Sequence, residues 1–229
     1  MLLHPPTTTK FHHLVAFGAG LQISLHIRQL LETYPSLSRI TIVNRTVNAR
    51  LNALREDLQR VHPGASFEAL SRADAEAAVR QADIICCATP STTPLFPSEW
   101  VRPGTHIVLV GSYKPQMEEI DTALVNRARV ILVDSRSACA IEAGELIDAC
   151  VQEDHMVEVG ELLSRTPPAR DCAWEPDANR LAGVLKAGTG DVTIFKSVGI
   201  GAQDVAITVA TVERAMEMGI GTTLPDWDT

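Results

Sequence analysis

The sequence predicts an α/β protein built on a doubly wound parallel sheet. Short apolar runs alternate along the chain with longer stretches of helical periodicity, which is the order of elements in a parallel sheet with helices on both faces. The runs contain few polar residues, as expected of strands that are buried on both faces. The 229 residues with 45% apolar content are sufficient for one main domain.

The elements follow one another in a regular order. The predicted strands are His13–Phe17, Ile40–Val43, Ile84–Ala88, Ile107–Val110, Val130–Val133 and Val192–Ser197. The predicted helices are Gln22–Thr33, Val47–Val61, Ala73–Gln81, Asp121–Arg127, Ala138–Gln152 and Asp204–Met218. Up to Val133 the predicted order is β-α-β-α-β-α-β-loop-β-α-β. This order includes one further strand, between the second and third helices, whose first and last residues the sequence does not define.

Composition and charge exclude several classes of protein. The formal net charge is −8 and no run of Lys and Arg is present, so nucleic acid is not an expected partner. No secretory signal and no apolar stretch of membrane-spanning length is recognised, so we expect a cytoplasmic protein without a membrane span. The cysteines lack the spacing of a metal site, and we expect no metal and reduced, mostly buried thiols at Cys86, Cys87, Cys139, Cys150 and Cys172.

A glycine-containing turn joins the first predicted strand to the first predicted helix. Gly18 permits a tight turn, and Gly20 lets the backbone approach a pyrophosphate without a Cβ in the way. Free N–H groups at the start of the helix then anchor phosphate oxygens. The context predicts a nicotinamide-dinucleotide-binding domain of the Rossmann type, although Ile23 stands where the pattern has a small residue. The alternative is a strand-to-helix turn that binds nothing.

The end of the second predicted strand bears on the choice of dinucleotide. A dinucleotide-binding fold usually places an acidic residue there to hold the ribose hydroxyls, but this strand ends in Val43-Asn44-Arg45-Thr46. Arg45 suits a 2′-phosphate, to which it offers two charge-assisted hydrogen bonds, and Thr46 adds a hydroxyl. We therefore expect NADP(H) rather than NAD(H). Alternatively, Arg45 is a solvated surface arginine.

Two later strand ends carry small polar residues. Ile84–Ala88 runs into Thr89 and Pro90, and Ile107–Val110 runs into Gly111 and Ser112. Ligands of open α/β sheets bind beyond the carboxyl ends of the strands, so these residues are expected beside a nicotinamide ribose. The alternative is that both segments are ordinary turns.

Several segments, taken in order, resemble the ornithine cyclodeaminase/mu-crystallin family from about Val15 to Gly219. They are GAGLQ, VNRT, ADIICCATPSTTPLF with Trp100, VRPGTHIVLVGSYKPQMEEID, VDS, GEL, VGELL and TIFKSVGIGAQD. Members of this family bind NAD(P). They include lysine or ornithine cyclodeaminases, alanine dehydrogenases, ketimine reductases and a thyroid-hormone-binding protein with reductase activity.

The resemblance implies roles for individual residues. The pyrophosphate would be held by Gly18, Gly20, Leu21 and Gln22, and the adenosine ribose or its phosphate by Asn44, Arg45 and Thr46. Between the two halves of the dinucleotide would lie Thr89 and Pro90, and on the nicotinamide side Val110, Gly111, Ser112 and Ser197. The candidate catalytic residues are Tyr113, Lys196 and Asp204. Asp204 is alternatively an acidic residue favoured by the dipole at a helix N-terminus.

One position at which this sequence departs from the family distinguishes the cyclodeaminases from the reductases. In the cyclodeaminases an aspartate follows the turn after the fourth named strand and takes part in deamination, whereas this sequence has Tyr113 there. Ornithine cyclodeaminase chemistry is therefore disfavoured, and the sequence resembles the reductase branch, in which the cofactor carries the hydride. The expected substrate is a small cyclic imine, or a keto or imino acid. Tyr113 is either a proton donor or part of a pocket wall.

A second departure concerns the start of the chain. Family members carry a longer segment ahead of the glycine turn, which forms much of the substrate and dimerisation lobe. We therefore expect an N-terminal tail over 1–13, a dinucleotide-binding domain over 14–200, and over 201–229 a C-terminal helix and tail of that lobe. The chain is then a truncated version of a longer enzyme, a standalone cofactor-binding module, or one half of a homodimer that supplies the missing surface. The expected function is that of an NADP(H)-dependent oxidoreductase, and the alternative is a non-catalytic dinucleotide-binding module.

Overall fold

The computed structural model describes residues 2–165 and 174–222. Cys172 lies outside these residues. The chain divides between Val198 and Gly199 into two compact units. Within the described residues, no helix has the length and hydropathy needed to cross a membrane, and no group of three or more His, Cys, Asp or Glu side chains is arranged to hold a metal ion.

The first unit is built on a parallel sheet. The strands of the described residues are β1 His13–Phe17, β2 Arg39–Asn44, β3 Ser66–Ser71, β4 Ile84–Cys87, β5 His106–Leu109, β6 Ala128–Val133, β7 Met156–Glu158, β8 Leu163–Arg165, β9 Trp174–Pro176 and β10 Val192–Lys196. Eight of them pair in parallel in the order β3-β2-β1-β4-β5-β10-β6-β7. The other two, β8 and β9, form a separate antiparallel pair.

Helices cover both faces of this sheet. They are α1 Leu21–Thr33, α2 Ala49–Val61, α3 Glu76–Val79, α4 Thr122–Asn126, α5 Arg136–Glu142, α6 Gly144–Asp148 and α7 Ala178–Ala187, and the second unit contains α8 Gly201–Glu217. Side chains that accept a backbone N–H in the first turn begin four of the helices, where they satisfy donors that have no partner inside the helix. These capping residues are Asn48, Asp121, Ser135 and Asp177.

The core lies on both faces of the sheet. Successive residues of β1 point to opposite faces, and all five are buried. Val15 and Phe17 join one apolar cluster, whereas Leu14 and Ala16 join a second, which α1 and α2 cover. A strand buried on both faces is the physical basis of the doubly wound sheet, and the predicted fold class is confirmed.

Two helix predictions are wrong in detail. The predicted helix over Ala138–Gln152 is two helices, α5 and α6, because Ala143 between them has an extended backbone with ψ 96°. A Cβ on Gly144 would lie 2.0 Å from the carbonyl oxygen of Met117, so this close backbone contact occurs where the helix breaks. The predicted helix over Ala73–Gln81 is a 3₁₀ turn followed by the single turn α3.

Side chains of α8 are largely exposed within the second unit. Its exposed apolar residues are Val205, Ile207, Val209, Val212 and Met216. The predicted apolar face of this helix, which includes Val205, Val209, Val212 and Met216, is therefore a solvent-facing surface of the unit as described.

Histidines pack at the amino ends of the strands. His4 and His106 both hydrogen-bond to the Thr193 hydroxyl, at 2.9 and 2.8 Å, and their ring centroids are 4.9 Å apart. The His13 ring is 3.0 Å from the Thr41 hydroxyl. Burial lowers the pKa of His4 and of His13 from 6.5 to about 4, and lowers the pKa of the buried His106 well below 6.5.

These pKa values predict a loss of stability in acid. The unfolded chain protonates the rings below pH 6.5, whereas the folded state keeps His4 and His13 neutral down to about pH 4. The contribution of these histidines to the free energy of unfolding is therefore fully present above pH 6.5. It falls as the pH drops toward 4, by up to about 1.4 kcal/mol per pH unit for each histidine. The free energy of unfolding, measured by urea unfolding across this range, should depend less steeply on pH in His106→Asn than in the wild-type chain. Equal slopes in the two proteins would contradict the assignment.

Candidate functional site

A cleft opens where the carboxyl ends of β1, β2 and β4 meet. The strand order reverses between β1 and β4, and this switch point is where open α/β sheets bind their ligands. The cleft has a volume of about 440 Å³. The residues predicted for dinucleotide binding that line it are Gly18, Gly20, Asn44, Arg45, Thr46, Thr89 and Pro90.

The glycine turn forms one wall of the cleft. Gly18 has φ +120°, a conformation that side chains rarely permit, and a Cβ there would lie 2.9 Å from the carbonyl oxygen of Ala88. Its N–H donates to the carbonyl oxygen of Val43 at 2.8 Å, which ties the turn to β2. Gly20 follows as the N-cap of α1 and carries no capping side chain. The first N–H groups of α1 are thus available to an anion.

Leu21 and Gln22 follow the turn as the first residues of α1. Both side chains are exposed, and neither belongs to the lining of the cleft. Any contribution of these two residues to phosphate binding is therefore made by backbone N–H groups.

Among the described residues, three arginines and no acidic residue line the cleft. Arg45 follows β2, Arg72 follows β3, and Arg50 lies in the first turn of α2. Arg50 Nε donates to the Ala19 carbonyl oxygen at 2.8 Å, so this arginine is fixed against the glycine turn. Arg45 and Arg72 have no ion pair within the described residues. The cleft is consequently suited to an anion.

A buried carboxylate connects the ends of β4 and β5. Glu119 Oε1 accepts the Thr89 N–H at 2.7 Å and the Thr89 hydroxyl at 2.8 Å, and Oε2 accepts the Gly111 N–H at 2.8 Å. Burial raises the pKa of Glu119, while these donors oppose the shift. Thr89 and Gly111, both predicted site residues, are thereby held by one side chain.

Ser112 and Lys196 lie together beneath the surface. Lys196 Nζ donates to the carbonyl oxygen and to the hydroxyl of Ser112, and lies 3.0 Å from Glu145 Oε1. The contact with Oε1 is electrostatic, since Oε1 lacks the geometry of a directed hydrogen bond. Ser112 in turn donates to Glu145 Oε2. All three side chains are completely buried, so Lys196 does not reach solvent in this conformation.

The remaining predicted residues occupy separate places. Ser197 donates its hydroxyl to Asp134 Oδ2 at 2.6 Å, and the Val110 N–H donates to the Cys87 carbonyl oxygen at 3.0 Å. Tyr113 is half exposed with Lys114 Nζ 5.5 Å from its ring centroid. Asp204 lies in the second unit, where it is exposed in the first turn of α8.

The buried thiols of the described cysteines are not activated nucleophiles. Burial raises the pKa of Cys86, Cys87 and Cys139, the last to about 12. Cys150 is exposed and has φ +52°.

Sequence reasoning missed Arg50, Arg72, Glu119 and Glu145. The rule that functional residues follow strands would have found Arg72, but β3 had no assigned bounds. Arg50 had a weaker signal, two residues after the helix-capping Asn48. Nothing local marks the two glutamates, because Thr89 lies 30 positions from Glu119 and Ser112 lies 33 positions from Glu145, and the folded chain brings each pair together.

The fold and the glycine turn define a Rossmann-type domain. The chain belongs to the ornithine cyclodeaminase/mu-crystallin family, whose model matches residues 8–219. The resemblance drawn from the sequence is confirmed.

Relatives of known name are similar over most of this chain. The Δ1-pyrroline-2-carboxylate reductase of Colwellia psychrerythraea is 31% identical over 204 residues, which cover 88% of this chain and 59% of that protein. The ketimine reductase mu-crystallin of Mus musculus is 30% identical over 203 residues, which cover 89% of this chain and 54% of that protein. The chain thus spans somewhat more than half the length of these relatives.

A solved structure shares the fold. The iminosuccinate reductase of Paracoccus denitrificans, in complex with NAD⁺, superposes with a TM-score of 0.72 at 26% identity, over 98% of this chain and 62% of that one.

Proposed function

We propose that this chain binds NADP(H) in the cleft and forms the dinucleotide-binding part of a reductase of small cyclic imines. The observation that carries the proposal is the meeting, at one switch point, of a glycine turn, the polar ends of β2 and β4, and three arginines with no acidic residue among the described residues of the lining. The names of the relatives, reductases of a pyrroline carboxylate and of ketimines, support the substrate class.

The arginine cluster favours the 2′-phosphate of NADP(H). An acidic residue after β2 would accept the ribose hydroxyls of NAD(H) and repel a phosphate, but Asn44 and Arg45 stand there and no acidic residue lines the cleft. Arg45 and Arg72 come from the ends of neighbouring strands, β2 and β3. A phosphate between them would receive charge-assisted hydrogen bonds from two sides.

The residues of this chain would bind and orient, while the cofactor carries the chemistry. Bound NADPH supplies a hydride to an imine carbon. The backbone of the glycine turn and the start of α1 would hold the pyrophosphate, since a Cβ at Gly18 would clash with Ala88 and the N–H groups of the helix are free. Thr89 and the Gly111–Ser112 turn would border the nicotinamide half.

Replacing Arg45 by aspartate should reverse the preference between the two dinucleotides. We expect affinity for NADPH to fall about 10–100-fold, the value of one charge-assisted contact, while affinity for NADH stays the same or rises. Calorimetric titration measures both. The matched control is Arg60→Asp, the same charge change at an exposed site of α2 outside the cleft, which should alter neither affinity. Equal losses for both dinucleotides in Arg45→Asp would contradict the role of Arg45.

A second candidate function is dinucleotide binding without turnover. It is favoured by the placement of two candidate catalytic residues, because Lys196 is completely buried and neither Lys196 nor Tyr113 lines the cleft. Steady-state oxidation of NADPH with a panel of cyclic imines separates the two functions. Imine-dependent oxidation supports the reductase, whereas binding without oxidation supports the non-catalytic module.

A homodimer is a further proposal. The exposed apolar residues of α8 support it, because such a surface favours self-association in water.

A further inference from the structure

A completely buried ion pair lies outside the lining of the cleft. Lys196 ends β10, and Glu145 lies in the first turn of α6. Both side chains have no exposed surface, and the atoms Nζ and Oε1 are 3.0 Å apart. Ser112, which follows β5, completes the group by accepting from Lys196 through its carbonyl oxygen and hydroxyl and by donating to Glu145.

A gain in folding stability does not explain why this ion pair is buried. Removing two charges from water carries a large desolvation penalty, and well-packed apolar residues of similar size are often as stable or more stable in the same place. The partners of Lys196 point to another role. Two of its three contacts are with Ser112, so the ammonium fixes the backbone and the side chain of one residue in the turn after β5.

That turn is fixed from its other side as well. The Gly111 N–H donates to Glu119, which also binds Thr89 after β4. A Cβ at Gly111 would lie 2.2 Å from the Thr89 carbonyl oxygen, so the two turns are in direct backbone contact. The strands β4, β5 and β10 are consecutive in the sheet on the far side of the switch point from β2 and β3. The second half of a dinucleotide extends over that side.

We propose that Lys196 and Glu145 are positioning residues for the nicotinamide half of the dinucleotide. They hold Ser112 and the Gly111–Ser112 turn in the place that the nicotinamide ribose requires, without contacting the ligand themselves. The proposal rests on the proposed function, because it assumes that a dinucleotide occupies the cleft. It predicts that the pair matters for the nicotinamide half and is dispensable for the adenosine half.

The test replaces the pair by apolar residues of similar volume. The double variant Lys196→Met/Glu145→Leu removes both charges together, so no unpaired charge stays buried and folding is preserved. Its matched control is Glu76→Leu/Arg80→Met, which removes an exposed ion pair on α3. Calorimetry measures the affinity of each protein for NADPH and for adenosine 2′,5′-bisphosphate, which lacks both the nicotinamide and its ribose. Amide hydrogen exchange across residues 109–116 reports on the turn without any ligand.

The proposal predicts a selective effect. In the double variant, affinity for NADPH should fall at least 10-fold, affinity for adenosine 2′,5′-bisphosphate should stay within twofold of wild type, and exchange in the turn should accelerate. The control pair should change none of these. Unchanged NADPH affinity in the double variant, or equal losses for both ligands, would overturn the positioning role. A wild-type chain that binds neither ligand would instead overturn the proposed function, and unaltered exchange in the turn would then overturn the positioning role independently.

Discussion

Lys196→Met alone should destabilise the folded chain by about 3–5 kcal/mol, because it leaves the carboxylate of Glu145 buried without its cation. The Ser112 carbonyl oxygen loses its donor at the same time. Urea unfolding followed by far-UV circular dichroism measures the loss. Adding Glu145→Leu should recover most of it, since the second change removes the unpaired charge.

The control for this variant is Lys186→Met. Lys186 is exposed on α7, so its replacement should change the free energy of unfolding by less than about 0.5 kcal/mol. A Lys196→Met protein as stable as the Lys186→Met protein would show that the buried ion pair has been misassigned.

Gly111→Ala should be the most damaging single-methyl change in the site. The added Cβ would lie 2.2 and 2.3 Å from the Thr89 carbonyl oxygen and nitrogen, and 2.4 Å from Glu119 Oε1. Two of these are backbone atoms of an adjacent turn and cannot rotate away. We expect a loss of about 3 kcal/mol in unfolding free energy, together with weakened NADPH binding.

Gly64→Ala provides the comparison for the methyl group itself. A Cβ at Gly64 would meet nothing within 4 Å, so the variant should keep wild-type affinity and about wild-type stability, since alanine also restricts the unfolded chain. If the two variants unfold at the same urea concentration, the close contact between the two turns is refuted.

The interior strands could be predicted from the sequence because strands that are buried on both faces consist of nearly unbroken runs of apolar residues. The bounds of β1 were predicted correctly as His13–Phe17. The edge strand β3, Ser66–Ser71, is buried at Phe67, exposed at Ser66 and Glu68, and half-buried over its last three residues. It lacks the signal of an interior strand, so its bounds were not found, and Arg72 at its end was missed with it.

The residues of the site likewise fall into those that could be predicted from the sequence and those that could not. Gly18, Arg45 and Thr89 are recognisable because the turn and strand ends that carry them are local features of the sequence. The supports provided by Glu119, Glu145 and Asp134 depend on contacts between distant elements, such as Ser197 with Asp134 across 63 positions. The strand order, in which β10 inserts between β5 and β6, brings Ser197 beside Asp134.

Binding of the two dinucleotides by the wild-type chain tests the central claim most directly. Titration followed by nicotinamide fluorescence should give saturable binding of NADPH, and weaker binding of NADH, because in the described part of the chain three arginines and no acidic residue line the cleft. No binding of either dinucleotide at millimolar concentration would contradict the assignment of the cleft as a dinucleotide site.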